Sequence, residues 1–93
     1  MNKVYVAQIN WIHGGDHSFD TIVKYNRFYV EEVLARGLVI VLDPLEADVL
    51  LFVPTWKHDK ECMDEYNTFK NIKDMAFSLE ALDGLIRCDI NNG

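Results

Sequence analysis

The stretch "LVIVLDPLEADVLLFVPTW", residues 38–56, decides the fold. It holds a continuous apolar run at residues 38–42 and a second segment at residues 48–53 that is apolar after Asp48, and both are typical of strands buried on both faces of a sheet. Residues 43–47 form a turn between the two runs. Because strands of this kind occur mostly in parallel sheets covered by helices, the stretch predicts an α/β fold.

The segment before this stretch supplies a strand and a helix. Residues 3–9 alternate in polarity and are rich in Val, Ile and Tyr, which predicts a first strand. Residues 10–20 are expected to form a loop, in which Gly14 and Gly15 make a turn. Residues 21–37 have helical spacing of apolar side chains, and Gly37 is a typical helix end.

The segment after this stretch is predicted to be helical from residue 60 to residue 82. Its apolar stripe consists of Cys62, Tyr66, Phe69, Ile72, Ala76 and Leu79. A break near Lys73, with a second helix capped by Asp74, is an alternative for its later part. Asp83 and Gly84 are expected to end the helix, and residues 85–90 are expected to form a short final strand or an irregular tail.

These elements predict that residues 1–93 form a single α/β domain. The expected architecture is a small, mostly parallel, flavodoxin-like or Rossmann-like sheet of three to four strands with two main helices. The joint at residues 43–47 is short, because a parallel crossover usually needs about a dozen residues or more. The two apolar strands therefore form an antiparallel hairpin, cross very economically, or are exchanged between protomers.

Composition narrows the class of function. A net charge of −6 argues against binding a nucleic-acid backbone, because no basic face is available to release counterions, although a pocket for a small nucleotide stays open. Two cysteines, Cys62 and Cys88, do not make a disulfide framework, which fits a reducing compartment. The sequence holds no signal-peptide pattern and no apolar run of about 20 residues, so a cytoplasmic protein without a membrane span is expected.

Candidate site residues lie in the loops after the first and third strands, since α/β sheets bind ligands beyond the carboxyl ends of their strands. Asp59 lies in the later loop, and Glu65 follows about one and a half turns into the next helix. One such carboxylate can attack a sugar carbon or hold a hydroxyl, and the other can assist the leaving base. Trp11 and Trp56 follow the two strands, where each either covers the core edge or stacks on a base.

A metal site and a cofactor are not expected. His13, Asp16 and His17, with Cys62 or His58 as a fourth ligand, match no closed zinc pattern. The Gly14-Gly15 pair lacks the rest of a phosphate-binding loop.

Several segments resemble the nucleoside 2-deoxyribosyltransferases and their phage-encoded relatives. "VYVA" at residues 4–7 is similar to the family's opening pattern of apolar, Tyr, apolar, Ala. "VLARGLVIV" at residues 33–41 looks like its first helix and second strand, and "ADVLLFVPTW" at residues 47–56 like its third strand. The "PTW" matches the "PGW" of some phage members, and the resemblance covers roughly residues 3–70.

The resemblance implies roles for individual residues. The family's Asp-x-Gly-Thr-x-x-Glu motif has the spacing of Asp59 to Glu65 in this chain. By that match Glu65 is the nucleophile, Asp59 a partner carboxylate, and Tyr5 the residue that orients the glutamate. The candidate substrate-binding residues are Trp11, Gly14, Arg27 and Trp56.

The chain departs from the family pattern at three places. Glu61 and Cys62 stand where the family has Gly-Thr. The family's helix between the second and third strands is missing, and the strand expected soon after the nucleophile's helix is delayed to residues 85–90.

The resemblance implies a self-associating protein that binds a nucleoside or nucleotide and cleaves or transfers its N-glycosidic bond. The alternative is an acidic, non-catalytic interaction or inhibitor protein of phage type, which binds a host protein or sequesters a nucleotide.

Overall fold

The computed structural model describes residues 2–10 and 19–92. In these ranges, four strands form one sheet, and three helices cover it. The strands are β1 (Lys3–Ala7), β2 (Val39–Ile40), β3 (Val49–Phe52) and β4 (Asp74–Ala76), and the helices are α1 (Phe19–Ala35), α2 (Lys60–Phe69) and α3 (Leu79–Asn92).

The sheet confirms the predicted α/β class and its parallel character. Its strand order is β2-β1-β3-β4, and every neighbouring pair is parallel. All four residues of β3 are buried, because β3 lies inside the sheet with helices on both faces, which accounts for its unbroken apolar sequence. This arrangement is that of a small Rossmann-like or flavodoxin-like fold.

The chain crosses economically from β2 to β3. These strands flank β1 on opposite sides, so Val4 is in register with both Ile40 and Val49, and neither a hairpin nor an exchange is needed. A single 3-10 turn, Pro44–Glu46, replaces the crossover helix. The Lys73 ammonium donates to the Leu45 and Ala47 carbonyls at 2.7 and 2.8 Å. The turn is too short to offer these two carbonyls hydrogen-bond donors of its own, so Lys73 provides them.

The prediction of one helix from residue 60 to 82 was wrong. Helix α2 ends at Phe69, β4 follows, and Ser78 accepts the Ala81 N–H at 3.0 Å to start α3. Ile72, assigned to the core stripe by its spacing, is 66% exposed in the intervening turn. The parallel neighbour of β3 is therefore β4, which follows α2, and not residues 85–90.

The prediction of a short final strand or an irregular tail was also wrong, because residues 85–90 belong to α3. This makes three helices in the described chain, where two main ones were expected. Gly84 lies inside α3, with open space where a Cβ would project, so it does not end the helix. Arg36, just after α1, forms a salt bridge of 2.6 Å with Asp83, which joins α3 to the end of α1.

The two faces of the sheet carry different helices. The steps from β1 to β2 and from β3 to β4 run in opposite directions across the sheet, so right-handed crossovers place α1 and α2 on opposite faces. The salt bridge of Arg36 with Asp83 puts α3 on the α1 face. Since side chains alternate along a strand, Tyr5 points to the α2 face and Val4 to the α1 face.

A strained residue, Thr55, follows β3. Its φ is 76° and its ψ 5°, a left-handed conformation that is unfavourable for a β-branched side chain. Its hydroxyl is buried and has no hydrogen-bond partner within the described residues. The positive φ of Thr55 and its unpaired buried hydroxyl therefore both destabilise the turn immediately before Trp56.

Thr55→Gly is expected to stabilise the protein by about 1 kcal/mol, because glycine adopts positive φ without strain. Urea unfolding of both proteins measures the gain. Thr55→Ala serves as the control, since it removes the unpaired hydroxyl and keeps the Cβ that causes the backbone strain. A glycine variant no more stable than the alanine variant would show that the backbone is relaxed at this position.

Candidate active site

Asp59 ties the end of β1 to the start of α2. One carboxylate oxygen, Oδ2, accepts the Asn10 N–H at 2.6 Å, and the other, Oδ1, accepts the Cys62 N–H at 3.2 Å as the N-cap of α2. Asp59 is only 4% exposed, and it is the buried charged residue of the described core. The two predicted loops therefore meet at the carboxyl edge of the sheet, as parallel neighbouring strands require.

The Tyr5 hydroxyl and the Glu65 carboxylate line the same cleft on the α2 face of β1 and interact closely enough to affect each other's pKa. Burial raises the pKa of Glu65, the interaction with the Tyr5 hydroxyl opposes this rise, and the negative charges of Glu61 and Asp59 add to it. Burial also raises the pKa of Tyr5, with Glu65 adding to the effect, so Tyr5 stays a neutral donor. The pair thus combines a half-buried carboxylate with a fixed phenol.

An acidic cleft of about 300 Å³ opens beside this pair. Its walls are Tyr5, Val6, Gln8, Asn10, Leu42, Glu61 and Glu65. The Asn10 amide donates to Glu61 Oε2 at 3.1 Å, which holds that carboxylate at the cleft. Leu42, on the segment that replaces the crossover helix, supplies an apolar wall and is 91% exposed. The acidic cleft offers carboxylates, amides and one apolar side chain to a ligand.

Cys62 has a structural role beside this site. Its thiol is buried and donates to the Gln8 carbonyl at 3.4 Å. Burial raises its pKa to about 12, and the neighbouring carboxylates contribute. A thiol in this state is not a nucleophile at neutral pH.

The predicted substrate-binding residues are not gathered at the acidic cleft. Trp56 is buried among Phe52, Tyr66 and Phe77, and it does not line this cleft. Arg27 is exposed on α1 and lines a separate cleft of about 280 Å³ with Gln8 and Asn26.

Trp11 and Gly14 lie outside the described residues, as do His13, Asp16 and His17. Within the described ranges, no group of three or more His, Cys, Asp or Glu side chains is arranged to hold a metal ion.

Two asparagines were missed by sequence reasoning. Asn10 is fixed by Asp59 and Glu61, and only the tertiary structure brings these residues together. Asn26 accepts the Ile9 N–H at 2.9 Å and donates to the Ile9 carbonyl at 2.7 Å, which fixes the exit of β1. The role of Asn26 could have been predicted, because this polar residue interrupts the apolar stripe of α1 at a position that faces the core.

No helix in the described part of the chain is long and apolar enough to cross a membrane. Comparisons with protein-family models, curated proteins and solved structures found no match to this chain. Function is therefore inferred from the acidic cleft and from the sequence resemblance to deoxyribosyltransferases.

Proposed function

We propose that this chain binds a nucleoside in the acidic cleft and cleaves or transfers its N-glycosidic bond. The observation that carries the proposal is that Tyr5 and the half-buried Glu65 line one cleft, where each affects the other's pKa. These are the residues to which the deoxyribosyltransferase resemblance assigns the orienting phenol and the nucleophile. A cleft beside them supplies room for a sugar.

In the proposed mechanism, a Glu65 oxygen attacks the anomeric carbon while the carbon–nitrogen bond to the base breaks. The bonding electrons leave with the base, which takes up a proton, and the sugar stays on Glu65 as an ester. Water then yields the free sugar, or a second base yields a new nucleoside. Tyr5 donates to the Glu65 oxygen that does not attack, which keeps the carboxylate oriented.

Asp59 is assigned to positioning. Each of its oxygens accepts a backbone N–H group, and the residue is only 4% exposed, so it presents little surface to a substrate. Glu61 lines the cleft. We propose that Glu61, and not Asp59, is the second carboxylate, which assists the departing base. A second carboxyl group that assists the leaving group, beside a carboxylate that attacks the sugar, is common in glycoside cleavage.

The charge of the acidic cleft favours an unphosphorylated substrate. Among its described lining residues there is no Lys or Arg, and the loop of residues 11–18 contains neither in its sequence. Glu61 and Glu65 would face a 5′-phosphate with like charge, which is costly in a partly buried site. A nucleoside is therefore expected to react with a kcat/KM at least about tenfold higher than that of its 5′-monophosphate.

Incubation with the four 2′-deoxynucleosides and their 5′-monophosphates, followed by chromatography for free base, tests the proposal. We expect base release from nucleosides, and formation of a new nucleoside when a second base is added. If no nucleoside releases base or raises the melting temperature, the enzymatic proposal should be dropped.

A non-catalytic interaction protein is the second candidate function. The exposure of Leu42, Leu45 and Ile72 favours it, because apolar side chains on a surface often contact a partner chain. The same residues support our proposal that the protein self-associates. The free thiols of Cys62 and Cys88 support a cytosolic location.

A further inference from the structure

An aromatic cleft of about 670 Å³ lies across α2 from the acidic cleft. Its walls are Trp56, Lys57, Met63, Tyr66 and Phe77, and none of these residues lines the acidic cleft. The separation follows from helical spacing, because Glu61 and Glu65 occupy one side of α2, whereas Met63 and Tyr66 occupy the other. The aromatic cleft also lies at the carboxyl ends of β3 and β4, where α/β sheets bind ligands.

Aromatic rings form one wall of this cleft. Trp56 and Phe77 are stacked at 23° with centroids 5.3 Å apart, and Phe77 is also stacked on Phe52 at 25° and 5.5 Å. Tyr66 contacts Trp56 at 5.0 Å between centroids. Phe52 is fully buried, whereas Phe77 is 44% exposed. Phe77 thus packs against buried rings and still exposes part of its own ring to solvent.

Two lysines place positive charge beside these rings. Lys57 Nζ lies 5.9 Å from the centroid of the Trp56 ring, and Lys70 Nζ lies 5.9 Å from that of Tyr66. The chain as a whole carries a net charge of −6, so this local pair of cations runs against its overall charge. Rings and ammonium groups together suit a flat molecule that carries an anionic group.

We propose that the aromatic cleft is a second binding site, which takes a planar aromatic ligand bearing a carboxylate or phosphate group. The ligand stacks on the exposed ring of Phe77 beside Trp56, and its anion lies near the ammonium group of Lys57, with Lys70 adding positive charge beside Tyr66. The strained turn at Thr55 sets the Trp56 ring in place. The site is independent of the glycosidic chemistry, since it uses no residue of the acidic cleft.

Calorimetric titration with three naphthalene probes tests this site. 2-Naphthoate and 2-naphthyl phosphate share a ring system with 2-naphthylmethylamine, which carries the opposite charge. We expect the two anions to bind at least tenfold more tightly than the amine, and the tighter anion identifies the preferred group. The double variant Lys57→Gln/Lys70→Gln should weaken anion binding about tenfold, whereas the control Lys24→Gln, on α1, should leave it unchanged.

Phe77→Leu keeps an apolar side chain and removes the stacking ring. It should therefore lower the affinity for all three probes and change the melting temperature little. Equal affinity for anions and amine, or anion binding that survives the double lysine substitution, would overturn the proposal. So would sedimentation showing a dimer that Phe77→Leu dissociates, because the aromatic cleft would then be an interface between copies.

Discussion

Replacement of Glu65 by glutamine is expected to lower the rate of base release at least about a thousandfold, because the amide cannot form the covalent ester with the sugar. Glutamine keeps the size of the side chain and an oxygen that accepts the Tyr5 hydroxyl. The measurement is the initial rate of free-base formation from the best nucleoside. Asp64→Asn, which changes an exposed carboxylate one residue away on α2, should leave the rate unchanged.

The same Glu65→Gln protein has a predictable stability. The pKa of Glu65 is raised in the folded protein, so its ionisation there costs stability as the pH rises above the unfolded value of about 4.3. Glutamine has no charge to bury, so the variant should be at least as stable as the native protein at pH 7. Below about pH 4 the two unfolding curves should converge. A folded variant that still releases base would exclude Glu65 as the nucleophile.

Asp59→Ala is expected to destabilise the protein by about 2–4 kcal/mol, since it removes a helix cap and a charge-assisted bond from a buried site. The Cys62 and Asn10 N–H groups both lose their acceptor. The free energy of unfolding in urea measures the effect. Asp64→Ala on the exposed side of α2 is the matched control, with an expected change within about 0.5 kcal/mol. A loss below about 1 kcal/mol for Asp59→Ala would mean that water replaces the carboxylate without cost.

Strand β3 and helix α1 could be predicted from the sequence because each has a long apolar pattern. The apolar run of β3 was correctly predicted to be a strand buried on both faces. The similar run of residues 38–42 was not, because β2 is a two-residue edge strand in which Val39 is 48% exposed. Helix α1 has a long stripe of core-facing side chains. The β4 segment was missed because it contains Asp74 and Ala76, which have little preference for strands. Its pairing with β3 decides its conformation, and a single sequence does not reveal such tertiary pairing.

The candidate site was only partly accessible from sequence. The Asp59-to-Glu65 spacing predicted one carboxylate before a helix and a second about one and a half turns into it. In the structure Asp59 is the N-cap of α2, and Glu65 lies near the middle of that helix. Spacing could not reveal that the Asp59 oxygens are occupied by backbone N–H groups, because Asn10 is distant in the chain. Nor could it decide that Trp56 faces an aromatic cluster on the other side of α2, since that depends on where Phe77 emerges from β4.

The central position of β1 has a consequence for synthesis on the ribosome. β1 is made first, yet its partners β2 and β3 come much later in the chain, since Val4 pairs with Val49. At about 5–20 residues per second, this strand waits a few seconds for its neighbours. Its apolar side chains and unpaired N–H groups are exposed to other nascent chains during that interval. The time needed to translate the chain from β1 to β3 therefore sets how long this strand lacks its partner.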